Sequence, residues 1–263
     1  MFICPVCKQD LILNGKSYLC KNNHCYDVSK KGYVNLLMSQ ASKAKQHGDD
    51  KAMAVARREF LNSGHYLKLA TAIASLLPSG TLADIGCGEC YYLEQIKKLR
   101  DDINCIGIDI SKEILEVAAV RTKPLGIKTA VASSAALPFK NVSIDAALSV
   151  FAPINQAEIS RILKSGGTLV RVTPKKEHLF ELKAAVYKNA LYNDELDLLV
   201  DGFKITKTES VVYKFLATTD QLKTLFTMTP YYYKTSPEDI KKLDFIESLE
   251  ITAAFDITIY QKK

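Results

Sequence analysis

The pattern of hydrophobic and polar positions divides the chain near residue 80. From residue 81 to residue 173, short apolar runs alternate with segments of helical periodicity, which is typical of a mostly parallel sheet with helices on both faces. The predicted strands cover residues 81–85, 104–108, 127–132, 144–150 and 168–173. The predicted helices run from residue 90 to near residue 100 and over residues 111–121 and 156–163.

The C-terminal part of the chain predicts three further helices and two further strands. The helices cover residues 177–190, 219–226 and 237–246, and the strands lie near residues 203–213 and 255–261. With these two strands, the last of them antiparallel, the predicted sheet has seven strands.

Before residue 80 the elements are shorter and more polar. Residues 11–13 and 18–19 predict a hairpin with its turn at Asn14 and Gly15. Residues 40–50 predict an exposed loop, and helical patterns follow over residues 51–61 and 70–77.

The predicted hairpin lies between two pairs of metal-ligating residues. Cys4, Cys7, Cys20 and His24 have the spacing C-x2-C-x12-C-x3-H, which suits a tetrahedral Zn²⁺. Cys25 leaves the fourth ligand open between His24 and Cys25, and a redox CxxC is the competing interpretation, although no strand–helix context surrounds it. Four protein ligands leave no open position, so the expected zinc is structural and stabilises a lobe too small to bury a core alone.

Composition narrows the class of protein. The 263 residues are 48% hydrophobic, enough for a full core, and no apolar run approaches the roughly 18 residues that span a bilayer. The seven cysteines form no even framework, and no secretory signal is visible. We therefore expect a reducing, cytoplasmic location and no membrane association.

The positive charge is concentrated at one end of the chain. The net charge is +6; residues 1–80 hold 11 Lys and Arg against 5 Asp and Glu, whereas residues 81–263 hold 24 of each class. A basic region beside a neutral body is typical of a polyanion-binding arm, and the alternative is a solvated lysine-rich surface.

A glycine-containing loop follows the first strand of the predicted sheet. The chain contains Asp84-x-Gly86-x-Gly88, and Asp109 ends the second strand, where a carboxylate can accept both hydroxyls of a ribose. A dinucleotide fingerprint would require a glycine at Tyr91, so NAD is disfavoured. The arrangement resembles the S-adenosylmethionine (SAM) site of class I methyltransferases. A purely structural role, complementing a helix dipole, is an alternative for Glu89.

The motifs together resemble those of the bacterial large-subunit (23S) ribosomal RNA guanine-N1 methyltransferases, and the resemblance covers nearly the whole chain. Its specific parts are CPVC at 4–7, KKGYVNLL at 30–37, ARREFLNSGHY at 56–66, LADIGCGE at 82–89, ASSAALPF at 132–139, FAP at 151–153 and TPKKEHLFELK at 173–183.

The resemblance implies a set of site residues. It assigns the zinc ligands to Cys4, Cys7, Cys20 and His24, in preference to Cys25, and it adds cofactor contacts at Tyr66, Gly88, Glu89 and His178. The family's third loop glycine is Cys90 here. We expect its Cβ to narrow the loop and shift the following helix slightly.

The implied fold class is α/β, a class I SAM-dependent methyltransferase with a Rossmann-like seven-stranded sheet and a small N-terminal zinc-ribbon-like domain. The expected domains are a zinc-binding domain (1–36), a basic, partly helical connector (37–78) and a methyltransferase domain (79–263). The expected cofactors are SAM and one structural Zn²⁺.

The implied activity is methylation of N1 of an unpaired guanine in a 23S ribosomal RNA hairpin loop, with the RNA hairpin, and not DNA or a membrane, as the partner. Members of the family can dimerise, so a homodimer is a further expectation. The alternatives are a small-molecule methyltransferase with a structural zinc lobe and a catalytically silent RNA- or ribosome-binding protein.

The chemistry of N1 methylation suggests two kinds of catalytic residue. N1 lies on the pairing edge, so the base must be unpaired or flipped out. Phe151, after the fourth strand, is placed to stack on the base, unless it is a core aromatic residue. Asp145, His178 and bulk water are the candidates for accepting the N1 proton.

Overall fold

The described part of the chain, residues 2–38 and 51–263 of a computed structural model, is built around one large sheet. The strands are β1 (Ile12–Asn14), β2 (Ser17–Leu19), β3 (Cys25–Asp27), β4 (Tyr33–Asn35), β5 (Gly80–Ile85), β6 (Ile103–Asp109), β7 (Lys128–Val131), β8 (Ile144–Val150), β9 (Leu163–Pro174), β10 (Phe203–Thr218) and β11 (Ser248–Lys262). The loop predicted at residues 40–50 lies outside the described residues.

Eight helices of α type accompany these strands in the described residues. They are α1 (Lys51–Asn62), α2 (Leu67–Leu76), α3 (Tyr91–Leu99), α4 (Lys112–Thr122), α5 (Gln156–Ile162), α6 (Phe180–Val186), α7 (Thr219–Thr227) and α8 (Pro237–Ile240). Two 3₁₀ segments cover Tyr232–Lys234 and Lys241–Phe245. None of the helices in the described ranges is long and apolar enough to cross a lipid bilayer.

The large sheet has the order β10-β11-β9-β8-β5-β6-β7-β4. β5 pairs in parallel with β6 and β8, whereas β11 is antiparallel to both β9 and β10. This confirms the predicted mixed sheet with an antiparallel last strand. The sheet has one strand more than predicted, because β4 pairs in parallel with β7 at the edge.

Local sequence signals explain where several helices begin. The hydroxyl of Ser111 accepts the amide hydrogen of Ile114 at 3.2 Å and caps α4, as predicted. Asn155 caps α5 in the same way, with its side-chain oxygen 3.0 Å from the amide nitrogen of Glu158. These caps mark where α4 and α5 begin, after the carboxyl ends of β6 and β8.

The helices before the sheet belong to its core. Phe60 of α1 and Ile73 of α2 are fully buried and share one hydrophobic cluster with Leu82 of β5. The division of the chain at residues 36 and 78 stays a prediction about independent folding units. In the structure, α1 and α2 cover one face of the sheet.

The N-terminal lobe consists of a three-stranded antiparallel sheet with the order β1-β2-β3. Asn14 pairs with Ser17, so the tight turn lies at Gly15 and Lys16, one residue later than predicted. The lobe rests on the large sheet through Phe2, whose ring stacks on Phe139 with the centroids 5.9 Å apart.

Candidate functional site

Four side chains converge in the N-terminal lobe. The ligand atoms of Cys4, Cys7, Cys20 and His24 all lie within 4.8 Å of one another. The Cys20 sulfur lies 3.3 Å from His24 Nδ1 and 3.6 Å from the Cys7 sulfur. Zinc bound at about 2.3 Å by four tetrahedral ligands sets neighbouring ligand atoms about 3.8 Å apart. The donor set and its spacing therefore fit a structural Zn²⁺ held through three thiolates and one imidazole.

The structure decides between the two candidates for the fourth ligand. His24 directs Nδ1 into the cluster, 3.5 Å from the Cys4 sulfur, whereas Cys25 is exposed and lies 4.0 Å from an Asp27 carboxylate oxygen. The hydroxyl of Tyr26, the residue after Cys25, lies 3.3 Å from the Cys4 sulfur. Cys25 is therefore a surface residue beside the cluster.

A second group of predicted residues meets where β5 ends. The chain turns sharply at Gly86, which has φ +76°, and a Cβ there would lie 2.6 Å from the Cβ of Ala152. Only glycine allows this approach, because any side chain would collide with the segment that follows β8. The loop 86–90 leads from β5 directly into α3.

Asp109 links this loop to the end of β6. One carboxylate oxygen accepts the Gly88 amide hydrogen and the other accepts the Ser111 amide hydrogen, each at 2.9 Å. A carboxylate offers about four acceptor positions, so one that accepts backbone amide hydrogens can also accept from a ligand. The carboxylate is thus held in place beside the glycine loop before any ligand arrives.

Asp84 is a buried acid directly before the loop. Its side chain is 1% exposed, and one carboxylate oxygen has no hydrogen-bond partner in the described structure. Burial, and then the neighbouring Asp109 carboxylate, raise the pKa of Asp84 to about 8. A cationic ligand group would relieve this unfavourable burial.

Glu89 is a second buried acid, and it has a cationic partner. Nε of Arg121 lies 2.5 Å from one Glu89 oxygen, and the same guanidinium also bonds Glu94 and the side-chain oxygen of Asn62. Burial raises the pKa of Glu89 to about 7, although the Arg121 charge acts against it. The other Glu89 oxygen is buried without a partner in the described structure. One carboxylate oxygen of Glu89 is therefore bonded to Arg121 of α4, and the other has no hydrogen-bond partner in the described structure.

Two adjoining clefts open at the carboxyl ends of the parallel strands. The loop cleft is lined by Asp84, Gly86, Gly88, Glu89, Asp109 and Ile114, among others. The side cleft is lined by Arg171, Thr173, His178, Asn193, Thr229 and Tyr231, among others. Arg57, Tyr66 and Phe151 line both clefts. A ligand in one cleft can therefore meet a ligand in the other.

His178 lies in the side cleft against Tyr66. Its Nδ1 accepts the Ala254 amide hydrogen at 3.3 Å, so the ring proton lies on Nε2, which is 3.4 Å from the Tyr66 hydroxyl. Burial, and then the charge of Lys183, lower the pKa of His178 to about 3. The imidazole is neutral and its one lone pair is occupied, which argues against the expectation that it accepts a proton.

Phe151 forms the wall between the two clefts. It has φ +57°, a conformation that non-glycine residues rarely adopt, and its side chain is 40% exposed. Its ring lies 5.5 Å from Phe255 and 6.3 Å from His178, nearly parallel to the histidine. The core-aromatic alternative is thereby excluded, since the ring faces the cleft.

Known proteins match both parts of the chain. A family model described as "RlmA, N-terminal", of the zinc-ribbon type, matches residues 2–45, and a model described as "Methyltransferase domain" matches residues 83–171. YxjB of Bacillus subtilis (strain 168), provisionally named a 23S rRNA (guanine-N(1)-)-methyltransferase, is 31% identical, and the match covers 100% of this chain and 97% of that protein. The chain belongs to the 23S rRNA guanine-N1-methyltransferase family.

Two further proteins are similar to this chain. The 23S rRNA (guanine(748)-N(1))-methyltransferase of Streptomyces fradiae is 35% identical over 70% of this chain and 66% of its own length. Among solved structures, the YcgJ protein of Bacillus subtilis is similar with a TM-score of 0.48 and 16% identity, over 76% of this chain and 99% of that one. The class I methyltransferase fold suits SAM, and the zinc-ribbon cluster suits structural zinc.

The departure from the family's loop sequence is accommodated behind the loop. Cys90 is fully buried with φ +63°, and its sulfur lies 3.5 Å from that of Cys87. A Cβ on Gly107 of β6 would lie 2.8 Å from the Cys87 sulfur and 3.2 Å from the Cys90 sulfur. The missing side chain at Gly107 provides the room. Cys90 is not among the described residues that line the loop cleft. Its effect on the following helix stays a prediction.

Asp145 is not among the described residues that line the two clefts. Its carboxylate accepts the Thr81 amide hydrogen at 2.9 Å and pairs with Lys164 at 2.6 Å. Asp145 and Thr81 lie at the start of the parallel strands β8 and β5, and Phe151 follows the end of β8. Six residues of extended chain span about 20 Å. The interpretation of Asp145 as a general base is therefore corrected, because Asp145 lies at the amino ends of the parallel strands and the clefts open at their carboxyl ends.

Sequence reasoning missed the residue that organises the side cleft. The Asn193 amide donates to the carbonyl oxygens of Lys175 and His178, and its oxygen accepts from Lys183 and Tyr231. Asn193 lies in an irregular segment that no periodicity marks. Met228, Thr229, Pro230 and Tyr231 also line the side cleft.

Proposed function

We propose that the protein transfers the methyl group of SAM to N1 of an unpaired guanine in a 23S ribosomal RNA hairpin loop. The observation that carries the proposal is the side cleft, which adjoins the glycine loop and shares the exposed Phe151 ring with it. The names of the Streptomyces fradiae and Bacillus subtilis relatives supply the substrate class.

The loop cleft supplies the contacts for the cofactor, which contributes an electrophilic sulfonium methyl group when bound. The Asp109 carboxylate accepts hydrogen bonds from the ribose hydroxyl groups. Gly86 and Gly88 let the backbone come close to the ligand. Asp84 and Glu89, each with one unpartnered buried oxygen, face the cationic groups of the amino-acid end. Tyr66 and His178 close the cleft where it meets the side cleft.

The side cleft holds the base. A flipped guanine stacks on Phe151, and base–aromatic stacking contributes about 1–3 kcal/mol per base. No acidic side chain among the described residues lines this cleft, and His178 has no free lone pair. The protein therefore acts by aligning N1 with the methyl group, and the N1 proton passes to water.

The N-terminal region supplies affinity for RNA. Its excess of Lys and Arg attracts phosphate. Cys4, Cys7, Cys20 and His24 hold the Zn²⁺, which maintains the lobe and takes no part in the reaction. A cytoplasmic location, a homodimer and the exclusion of DNA as a substrate stay predictions.

Primer extension tests the activity. Total ribosomal RNA incubated with protein and SAM should give a reverse-transcription stop one nucleotide before the methylated guanine, because an N1 methyl group blocks pairing. RNA incubated without SAM is the control. A methyl group on ribose, on cytosine or on guanine N2, or transfer to a small molecule with none to RNA, would contradict the proposal.

A further inference from the structure

One basic residue of α1 reaches into both clefts. The sequence groups Arg57 with Lys30, Lys31 and Arg58 in the basic region before residue 80. In the structure Arg57 lines the loop cleft and the side cleft, whereas Arg58 is not among their described lining residues. Arg57 therefore differs from its neighbour in what it can contact.

Helical geometry explains why Arg57 faces inward. Residues three and four positions apart share a face of a helix, and Arg57 lies three residues after Ala54 and four before Leu61. Both of those residues are buried in the core. The side chain of Arg57 consequently projects from the packed face of α1 towards the strand ends.

A backbone carbonyl orients the guanidinium. Nη2 of Arg57 donates to the carbonyl oxygen of Met228 at 3.4 Å. Met228 follows α7, which packs against α1, and it lines the clefts beside Tyr66. The guanidinium is held between the end of α7 and the glycine loop.

The loop cleft is otherwise acidic. Asp84, Glu89 and Asp109 line it, and Arg57 is its one basic side chain among the described residues. Burial raises the pKa of Glu89, while the charges of Arg121 and Arg57 both lower it, so Arg57 lies within electrostatic reach of the loop. The other titratable groups around the two clefts are Tyr66, Cys87, Tyr91, Tyr92, Arg171, His178 and Tyr231.

We propose that Arg57 binds the α-carboxylate of SAM. With the ribose at Asp109, the amino-acid end extends towards Asp84, Glu89 and Arg57, and this end carries one ammonium group and one carboxylate. The acids match the ammonium and sulfonium charges, and a guanidinium matches a carboxylate with two parallel hydrogen bonds. The proposal rests on the proposed function only in taking SAM as the cofactor.

With Arg57 as a ligand, the cofactor site includes a residue of α1, which precedes the glycine loop in the chain. Seventeen residues separate the end of α1 at Asn62 from the start of β5 at Gly80, and α2 lies among them. The basic segment before residue 80 thus contributes to cofactor binding as well as to RNA binding.

Calorimetric titration with two ligands tests the proposal in the absence of RNA. SAM and decarboxylated SAM differ only in the carboxylate, so the ratio of their dissociation constants reports on its partner. Arg57→Gln should weaken SAM binding by about 10- to 100-fold and leave binding of decarboxylated SAM nearly unchanged. Arg58→Gln, one position away on the same helix, should keep the wild-type ratio.

The other outcomes are decisive in the opposite direction. An equal loss for both ligands would show a structural role, and no loss for either would leave Arg57 to the RNA, and each result overturns the proposal. Arg57→Lys keeps the charge in a folded cleft and should give a ratio between those of wild type and Arg57→Gln; a ratio equal to wild type would also overturn it. Failure of the wild-type protein to bind SAM would instead refute the cofactor of the proposed function, and the proposal with it.

Discussion

Two segments of this protein carry the same CxxC spacing and form different structures. Cys4 and Cys7 meet Cys20 and His24 in the N-terminal lobe, whereas Cys87 and Cys90 lie in the glycine loop with their sulfur atoms 3.5 Å apart. Within the described residues, the first pair alone belongs to a cluster that could hold a metal. A metal site requires a second pair of ligands, and only the hairpin of the lobe provides it.

The two segments also differ in what stabilises them. In the lobe the side chains of β1 are exposed, and the buried residues include the ligands Cys4 and Cys20. In the sheet domain, Leu82, Ala83 and Ile85 of β5 are buried on both faces. The lobe therefore depends on metal ligation, while the glycine loop is held by the packed sheet beneath it.

The largest expected effect is the loss of zinc from the lobe. We expect Cys7→Ser to lower the zinc content from about one per chain to nearly none, since the three remaining protein ligands hold the metal weakly. Hydrogen exchange should then accelerate in residues 2–38 while the core of residues 81–263 stays protected. Elemental analysis and exchange mass spectrometry measure both effects.

Two cysteine variants serve as controls for this prediction. Cys25→Ser removes an exposed thiol beside the cluster, and Cys90→Ser alters the other CxxC pair. Both should keep the full zinc content. Full zinc occupancy in a chain that lacks both Cys4 and Cys7 would refute the ligand assignment.

The next largest effect concerns the glycine loop. Asp109→Ala removes the acceptor for two amide hydrogens and for the ribose, so SAM binding should weaken by roughly 1.5–3 kcal/mol, or about 10- to 100-fold. Calorimetry measures the affinity, and Asp101→Ala, in the exposed turn before β6, is the matched control. Unchanged affinity for SAM in Asp109→Ala would remove the ribose from this position.

A somewhat smaller effect separates the side cleft from the loop cleft. Phe151→Ala should lower kcat/KM for RNA by about 5- to 100-fold through the loss of stacking, whereas its dissociation constant for SAM should change little. Phe245, which is 89% exposed and remote from both clefts, provides the control variant Phe245→Ala. If Phe151→Ala reduced SAM affinity and RNA methylation equally, the aromatic wall would belong to the cofactor.

The smallest effect is a pH dependence of stability in the ligand-free protein. Asp84 has a pKa of about 8 when folded, and an unfolded aspartate has a pKa of about 3.9. Between these values unfolding releases a proton, so the contribution of Asp84 to stability is largest below pH 4 and falls as pH rises towards 8, by at most about 1.4 kcal/mol per unit.

Asp84→Asn should flatten this dependence. Thermal unfolding midpoints measured from pH 5 to 8 should fall less steeply in the variant, with a smaller slope remaining from Glu89, whose pKa is also raised. Addition of SAM should reduce the slope of the wild-type protein, because its positive charges stabilise the ionised carboxylate. A variant with the wild-type slope would show that Asp84 is ionised in the free protein.

Most of the fold could be predicted because hydrophobic periodicity is a local property. The strands at residues 81–85 and 144–150 and the cap at Ser111 agree with the structure within a residue. Two of the errors occur where a distant partner decides. β10 continues past its predicted last residue and β11 begins before its predicted first residue, because the two strands pair along 15 residue pairs. β4 is a strand because it pairs with β7.

The candidate sites divide in the same way. The ligands Cys4, Cys7 and Cys20, and the sequence Asp84-x-Gly86-x-Gly88, could be recognised because short spacing restricts how a chain can turn. The choice of His24 over Cys25 came from the family resemblance, and the structure places the His24 imidazole in the cluster. Arg121, Asn193 and the inward direction of Arg57 could not, since each acquires its role from residues far away in the chain.

The sequence by itself determined the order of elements, the three cysteine ligands of the zinc site, the cofactor loop and the basic N-terminal region, because each depends on neighbouring residues. Only the tertiary structure decided that Asp145 lies at the strand ends opposite the clefts, that His178 has no free lone pair and that Gly107 makes room for Cys90. These three outcomes depend on packing and hydrogen bonds between strands and loops that are distant in sequence, and no local pattern records such contacts.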